Sequence, residues 1–172
     1  MERKEFMLCY QPQLDILTGK IVGTEALIRW QHPDLGVVYP TEFIPLAEKV
    51  GLIVPISEWV LRKACNQNVA WQRSGLAQMR VAVNLSGLLF KDRKVVETMT
   101  QIFNSTGMAP RHLEIELTEG TFLQNPENAS EVLKQLKTMG VRVAIDDFGT
   151  GYSSLGSLKR YPVDSLKIDL ID

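Results

Sequence analysis

Five segments of this chain read as strands with one apolar side and one side bearing a carboxylate, an amide or an amine, and that repetition limits the folds open to it. Ile21 to Trp30 places Glu25, Leu27 and Arg29 on one side and Val22, Ala26, Ile28 and Trp30 on the other, because side chains alternate along a strand. In later segments Ala82, Asn84 and Ser86 share a side, as do Glu114, Glu116 and Thr118, then Ala144 and Asp146, then Lys167 and Asp169. The opposite sides are apolar.

The segments between them set the connections. A strand within Phe6 to Ile16 and turn chemistry at Leu17-Thr18-Gly19-Lys20 predict an antiparallel hairpin with the strand at Ile21. Gln31 to Gly36 reads as a loop, and Pro40-Thr41 opens a helix with Phe43, Leu46, Ala47 and Val50 on one face and Gly51 at its end. A longer helix is expected from Ser57 to Arg73. Strand and helix then alternate. Strand Val81 to Ser86 precedes a helix carrying Val95, Met99, Ile102 and Phe103 that ends near Gly107, and strand Leu113 to Glu119 precedes a helix capped by Asn125-Pro126. Strand Val141 to Asp147, a glycine-rich loop from Phe148 to Ser154, a short helix Leu155 to Arg160 and a strand Leu166 to Leu170 complete the chain.

Repeats of this kind, about 30 residues each, imply parallel strands joined by right-handed crossovers, in a barrel or a doubly wound sheet. A doubly wound sheet is covered on both faces and its strands read as continuous apolar runs. Here one side is polar and would converge on a common axis, which favours a barrel. With 172 residues, 45% of them hydrophobic, the chain suits a single domain. Nineteen Lys and Arg against 20 Asp and Glu leave a net charge of -1, so no overall basic field argues for a nucleic-acid polymer or an anionic membrane. No apolar run approaches the roughly 18 residues of a membrane span, and Met1-Glu2-Arg3-Lys4-Glu5 does not open a signal peptide. Cys9 and Cys65 form no CxxC pair and read as reduced packing residues, so a cytoplasmic location is expected.

Buried charges are costly unless paired or bound to a metal. Glu25, Asn84, Glu116 and Asp146, with Asp147 beside the last, form an oxygen-only set near the C-terminal ends of their strands, suited to Mg²⁺ or Mn²⁺. A shared aspartate can bridge two metals about 3.5–4 Å apart, in centres that cleave phosphate esters or amides. Lys167 on the same side could orient a water, screen the acids or form a structural salt bridge. His32 and His112 read as surface or capping residues, which leaves a His/Cys zinc site unsupported. Asp147-Phe148-Gly149 matches the kinase metal motif by three letters only, without a GxGxxG or an HRD-type loop, so a kinase is excluded.

The ordered motifs Tyr10-Gln11-Pro12, Glu25-Ala26-Leu27 with Arg29, Phe43-Ile44-Pro45-Leu46-Ala47-Glu48, Asn84-Leu85-Ser86, Glu116-Leu117-Thr118-Glu119, Asp146 to Leu155 and Lys167-Ile168-Asp169 resemble the EAL-domain cyclic di-GMP phosphodiesterases. The resemblance covers essentially the whole chain. It implies a modified (β/α)8 barrel with an antiparallel first strand, and hydrolysis of cyclic di-GMP to linear pGpG by two-metal catalysis. It implies that Glu25, Asn84, Glu116, Asp146 and Asp147 hold the metals, with Glu25, Lys167 and Asp147 carrying the chemistry and Lys167 positioning the water. Gln11, Arg29, Leu27 and Asn84 would contact the dinucleotide, and Glu119 would anchor the loop after Asp147, which in this family also joins dimer contacts.

Against that family the chain stops short. Members continue past the Lys-Ile-Asp motif by two strand–helix units carrying a further catalytic glutamate, so residues 1–172 are expected to form an incomplete barrel with an open edge, completed or dimerised through another chain. The alternative function is a catalytically inactive module that binds cyclic di-GMP or dimerises.

Overall fold

The computed structural model describes residues 5–91, 94–118, 120–121, 126–149 and 161–168 of the chain. Strand β1 (Phe6–Leu14) turns back into β2 (Ile21–His32), as expected. The Asp15 carboxylate accepts the N–H groups of Leu17 and Thr18, and Gly19 takes a φ of 66°, which a glycine adopts without steric cost. There follow β3 (Gly36–Val38), α1 (Pro40–Lys49), α2 (Ile53–Arg73), β4 (Arg80–Asn84), α3 (Gly87–Lys91), α4 (Lys94–Thr106), β5 (Leu113–Thr118), α5 (Pro126–Met139), β6 (Arg142–Phe148) and β7 (Ser165–Ile168).

All seven strands form one sheet in the order β1-β2-β4-β5-β6-β7, with β3 added to the far end of β2. β1 and β3 run antiparallel to β2, and the other pairings are parallel. This is the mixed α/β sheet of a modified barrel, not closed between β1 and β7 among the described residues. Its outer face is the core. Val81, Val83, Leu113, Ile115, Leu117, Val143 and Ile145 point outward and cluster with Leu61, Ala64 and Cys65 of α2, Ile102 of α4, and Leu133 and Leu136 of α5. The helices therefore leave the polar side facing inward. At β7 the outer residues Leu166 and Ile168 are 39% and 77% exposed. Among the described residues no helix is long and apolar enough to cross a membrane.

The structure departs from the sequence reading at several places. β1 does lie within the expected Phe6 to Ile16, stopping at Leu14 because Asp15 is committed to the turn. Gln31, His32 and Gly36, expected in a loop, lie in strands instead, because Gly36–Val38 forms β3 against Trp30–His32. α2 starts at Ile53, four residues before the expected Ser57, with Pro55 in its first turn, where a missing N–H costs nothing. His112 is buried, not a surface residue. Its Nδ1 accepts from the Gln72 amide, while Cys9 is exposed on the inner side and only Cys65 is packed. His32 does cap its turn, accepting the N–H groups of Asp34 and Leu35. The loop from Thr150, the helix Leu155 to Arg160, Asn125, Glu119 and Asp169 lie outside the described residues.

Candidate active site

Parallel pairing places successive strands so that Glu25, Asn84, Glu116 and Asp146 share the inner side, the last three towards the C-terminal ends of their strands and Glu25 in the middle of the longer β2. The registers Ala82 with Glu114, Asn84 with Glu116, and Thr118 with Asp146 fix this arrangement. Lys167 of β7 reaches across to three of these residues. Its ammonium lies 2.7 Å from Glu116 Oε2, 3.2 Å from Glu25 Oε2 and 3.3 Å from Asp146 Oδ1. Asn84 Nδ2 donates to Glu25 Oε1 at 2.8 Å, which leaves the Asn84 carbonyl oxygen open to a cation.

Burial drives the electrostatics. Glu116 is 1% exposed, and desolvation pushes its pKa up from 4.5 to about 8 against the opposing hydrogen bond from Lys167, with Glu25 and Asp146 adding to the rise. Lys167 is partly desolvated too, yet its pKa is raised, because the bond to Glu116 and the charges of Glu116, Glu25 and Asp146 outweigh that loss. Three carboxylates face one ammonium, a formal surplus of two negative charges. The other oxygen of Glu116, Oε1, is buried with no hydrogen-bond partner among the described residues. Such an atom costs on the order of 1–3 kcal/mol unless something satisfies it.

The remaining expected residues take different places. Gln11 pairs with Glu25 across the β1–β2 ladder. Leu27 and Asn84 line a cleft of about 340 Å³ that also includes Ile44, Glu48, Ser86 and Glu116. Asp147 follows Asp146 with a φ of 54°, and its N–H bonds the Asp146 side chain at 3.1 Å. This left-handed backbone is uncommon outside glycine and falls where the register of β6 against β7 shifts, between Ile145 and Phe148. Arg29 lies further along β2, with its guanidinium over the Tyr39 ring and no contact to the acids. Glu119 is outside the described residues. Among those residues no three acidic, His or Cys side chains already converge as a metal-holding group. The Lys167 ammonium sits between the acids instead.

Sequence reasoning assigned no role to Glu48 or Tyr39. Glu48 accepts from Ser86 Oγ at 3.2 Å in the cleft wall, and its spacing of four from Ile44, on one helix face, was the available signal. Tyr39 could not be found without the β3 pairing.

The family model of the EAL domain matches residues 1–170. The chain belongs to the EAL domain family. It is 46% identical to the bifunctional diguanylate cyclase/cyclic di-GMP phosphodiesterase MucR of Pseudomonas aeruginosa over 98% of this chain and 25% of the relative. It is 39% identical to the cyclic di-GMP phosphodiesterase PA2567 of the same organism, over 95% of this chain and 28% of that protein. The chain thus spans about a quarter of the length of these relatives. Among solved structures, the PaMucR phosphodiesterase in its c-di-GMP complex superposes with a TM-score of 0.93 at 46% identity, over 98% of this chain and 68% of that one. The c-di-GMP-bound FimX EAL domain from Pseudomonas aeruginosa gives 0.86 at 25% identity, over 98% and 67%.

In this EAL domain the residues present fit a hard divalent cation. The donors are all oxygens, the acids exceed the ammonium in charge, and Glu116 Oε1 has a vacant valence in a buried place. A cation there would displace the Lys167 ammonium from some of its partners and free it to bond elsewhere.

Proposed function

We propose that this EAL domain is a cyclic di-GMP phosphodiesterase that opens the cyclic dinucleotide to linear pGpG with Mg²⁺ or Mn²⁺, in bacterial second-messenger signalling. The observation that carries this reading is the buried, unpartnered Glu116 Oε1 within an acid-rich cluster. Glu25, Asn84, Glu116, Asp146 and Asp147 would hold two cations. When bound, these lower the pKa of water and take up charge on the attacking and leaving oxygens.

The chain's own groups supply the rest. Lys167, held protonated by its acidic neighbours, donates hydrogen bonds that orient the attacking water in line with phosphorus. The water's oxygen bonds to phosphorus as the P–O bond to the ribose breaks, and the proton that the water gives up is balanced by the one that the ribose oxygen takes from solvent. Gln11, Leu27 and Asn84 contact the dinucleotide, and Arg29 offers its fork to a phosphate, since among the described residues no carboxylate pairs with it. By the family resemblance, Glu119, outside the described residues, would anchor the loop after Asp147. We place the domain in the cytoplasm and infer that it pairs with a second copy.

One observation favours a second reading, a module that binds cyclic di-GMP without cleaving it. The Lys167 ammonium already compensates part of the acids' charge without a metal. Release of pGpG by the purified chain with Mg²⁺ or Mn²⁺, beside a Glu25→Ala control, separates the two. Turnover that disappears in the control is expected. Saturable binding with no turnover would replace the enzyme by the module.

A further inference from the structure

Next to Ile28 and Pro40, which line the cleft, stand Arg29 and Tyr39, and the placement of the arginine depends on the tyrosine, a residue with no role so far. The antiparallel register of β2 and β3 pairs Gln31 with Val37 and Trp30 with Val38, and its next step sets Arg29 opposite Tyr39. The side chains meet. The Arg29 guanidinium carbon lies 5.0 Å from the centroid of the Tyr39 ring, inside the range of a cation–π contact. Tyr39 is itself fixed at the entry to α1, where its N–H donates to Glu42 Oε1 at 3.1 Å. Arg29 Nη1 donates to the Ile28 carbonyl at 2.8 Å, which uses one of five donors. The other donors meet no carboxylate among the described residues.

We infer that Tyr39 is a positioning residue: its ring holds the Arg29 guanidinium by one face, so that the free N–H edge presents itself to an anionic oxygen of the ligand. A ring over the face leaves the in-plane donors open, which is the geometry a phosphodiester requires. Arg29 follows Glu25 by four residues, about 13 Å along a strand, so it holds a part of the ligand set apart from the acid cluster. Binding there acts on affinity more than on the chemical step. The inference rests on the cyclic di-GMP reading given above. β3, which the sequence did not disclose, acquires a purpose as the strand that delivers Tyr39 to Arg29.

The test compares wild type, Tyr39→Leu, Tyr39→Phe, Arg29→Ala and the Tyr39→Leu/Arg29→Ala pair in cyclic di-GMP hydrolysis with Mn²⁺. Tyr39 is 54% exposed, so the leucine variant keeps the core, which a thermal melt checks. Tyr39→Leu is expected to raise KM about two- to fivefold, the scale of an exposed cation–π contact, with kcat kept. Phenylalanine is expected to restore wild-type KM, and leucine to add nothing once Arg29 is alanine. An unchanged KM in Tyr39→Leu, or an equal rise in the Arg29→Ala background, overturns the inference and leaves the functional reading standing. A wild-type chain that neither binds nor cleaves cyclic di-GMP defeats the functional reading instead. Ligand-free NMR then still decides the placement: the ring-current shift of the Arg29 side-chain protons must vanish in Tyr39→Leu and persist in Tyr39→Phe, and its survival in the leucine variant overturns the inference.

Discussion

Two glutamates on β5, Glu114 and Glu116, are 5% and 1% exposed, project to the same inner side, and are treated in opposite ways by their neighbours. Glu114 Oε2 lies 3.2 Å from Arg142 Nε and 3.8 Å from Arg80 Nε, so cations outnumber the acid. Glu116 shares one ammonium with Glu25 and Asp146, and one of its oxygens meets nothing. Burial alone therefore does not mark a site. What separates the two layers is charge balance, since a matched buried acid is costly to take from its partners, whereas an unmatched one must be neutralised by a proton or by a bound cation. Their positions agree with this reading: in barrels the N-terminal ends of the strands serve stability, and the C-terminal ends serve chemistry.

Neutralising each acid in turn breaks the comparison most directly. Glu116→Gln is expected to lower cyclic di-GMP hydrolysis by at least about 100-fold, the scale seen when groups that hold a metal are altered. Its effect on stability has the other sign. In chelator the folded chain binds the Glu116 proton more tightly than the unfolded chain does, its pKa being about 8 against 4.5. That contribution is present below pH 4.5 and is lost as pH rises through about 8. Urea unfolding of metal-free protein should therefore show wild type weakening over that window and Glu116→Gln holding steady. Divalent metal should restore the wild type on the alkaline side. A wild-type curve that stays flat there in chelator would remove the electrostatic basis of the site.

Glu114→Gln should do the reverse. It leaves Arg80 and Arg142 facing each other without their shared acid, at side-chain exposures of 31% and 38%. With that much solvent screening the expected loss is about 1–2 kcal/mol rather than the 3–5 of a fully buried pair. The folded fraction should keep its turnover. If Glu114→Gln instead abolished activity at unchanged stability, the lower layer would belong to the site and the distinction would fall.

The inner acids were legible in the sequence because alternation along a strand is a rule of two, and Glu25, Asn84, Glu116, Asp146 and Lys167 obey it from one strand to the next. Alternation shows which side a residue takes and nothing about its partners. Glu114 and Glu116 are indistinguishable on that count. Only the register of β4, β5 and β6 gives one of them two arginines. β3 escaped for a related reason: three residues after a turn-rich segment carry no period, and their pairing is set by the length of β2, which runs on to His32. His112 looked like any residue at a strand entry, and its partner is Gln72 of α2, 40 residues away, whose amide also donates to Asn68. Long-range partners of this kind leave no local mark.

A third acid, Asp164, gives the smallest effect and sharpens the contrast at the edge of the sheet. It precedes β7 and ties that strand to β6: its Oδ2 accepts the Val143 N–H at 2.8 Å, its own N–H donates to the Val143 carbonyl at 2.8 Å, and Lys137 of α5 donates to its Oδ1. Partial desolvation opposes ionisation, but the bonds from Lys137 and Val143 and the charges of Lys137 and Arg142 outweigh it, so the Asp164 pKa is lowered below 3.8. The folded chain thus prefers the ionised form. That contribution is present above pH 3.8 and is lost as pH falls through the lowered value, opposite in sign to that of Glu116. Asp164→Asn should cost about 1 kcal/mol or less near pH 7, because Lys137 is 32% exposed and screened. The cost should shrink towards zero in acid. Because the clamp sets the register that carries Lys167 to Glu116, the variant should also slow turnover slightly. Hydrogen exchange at the β6–β7 pairing is the sensitive measure, and protection there equal to wild type at pH 7 would mean that the edge strand is held by its packing and not by Asp164.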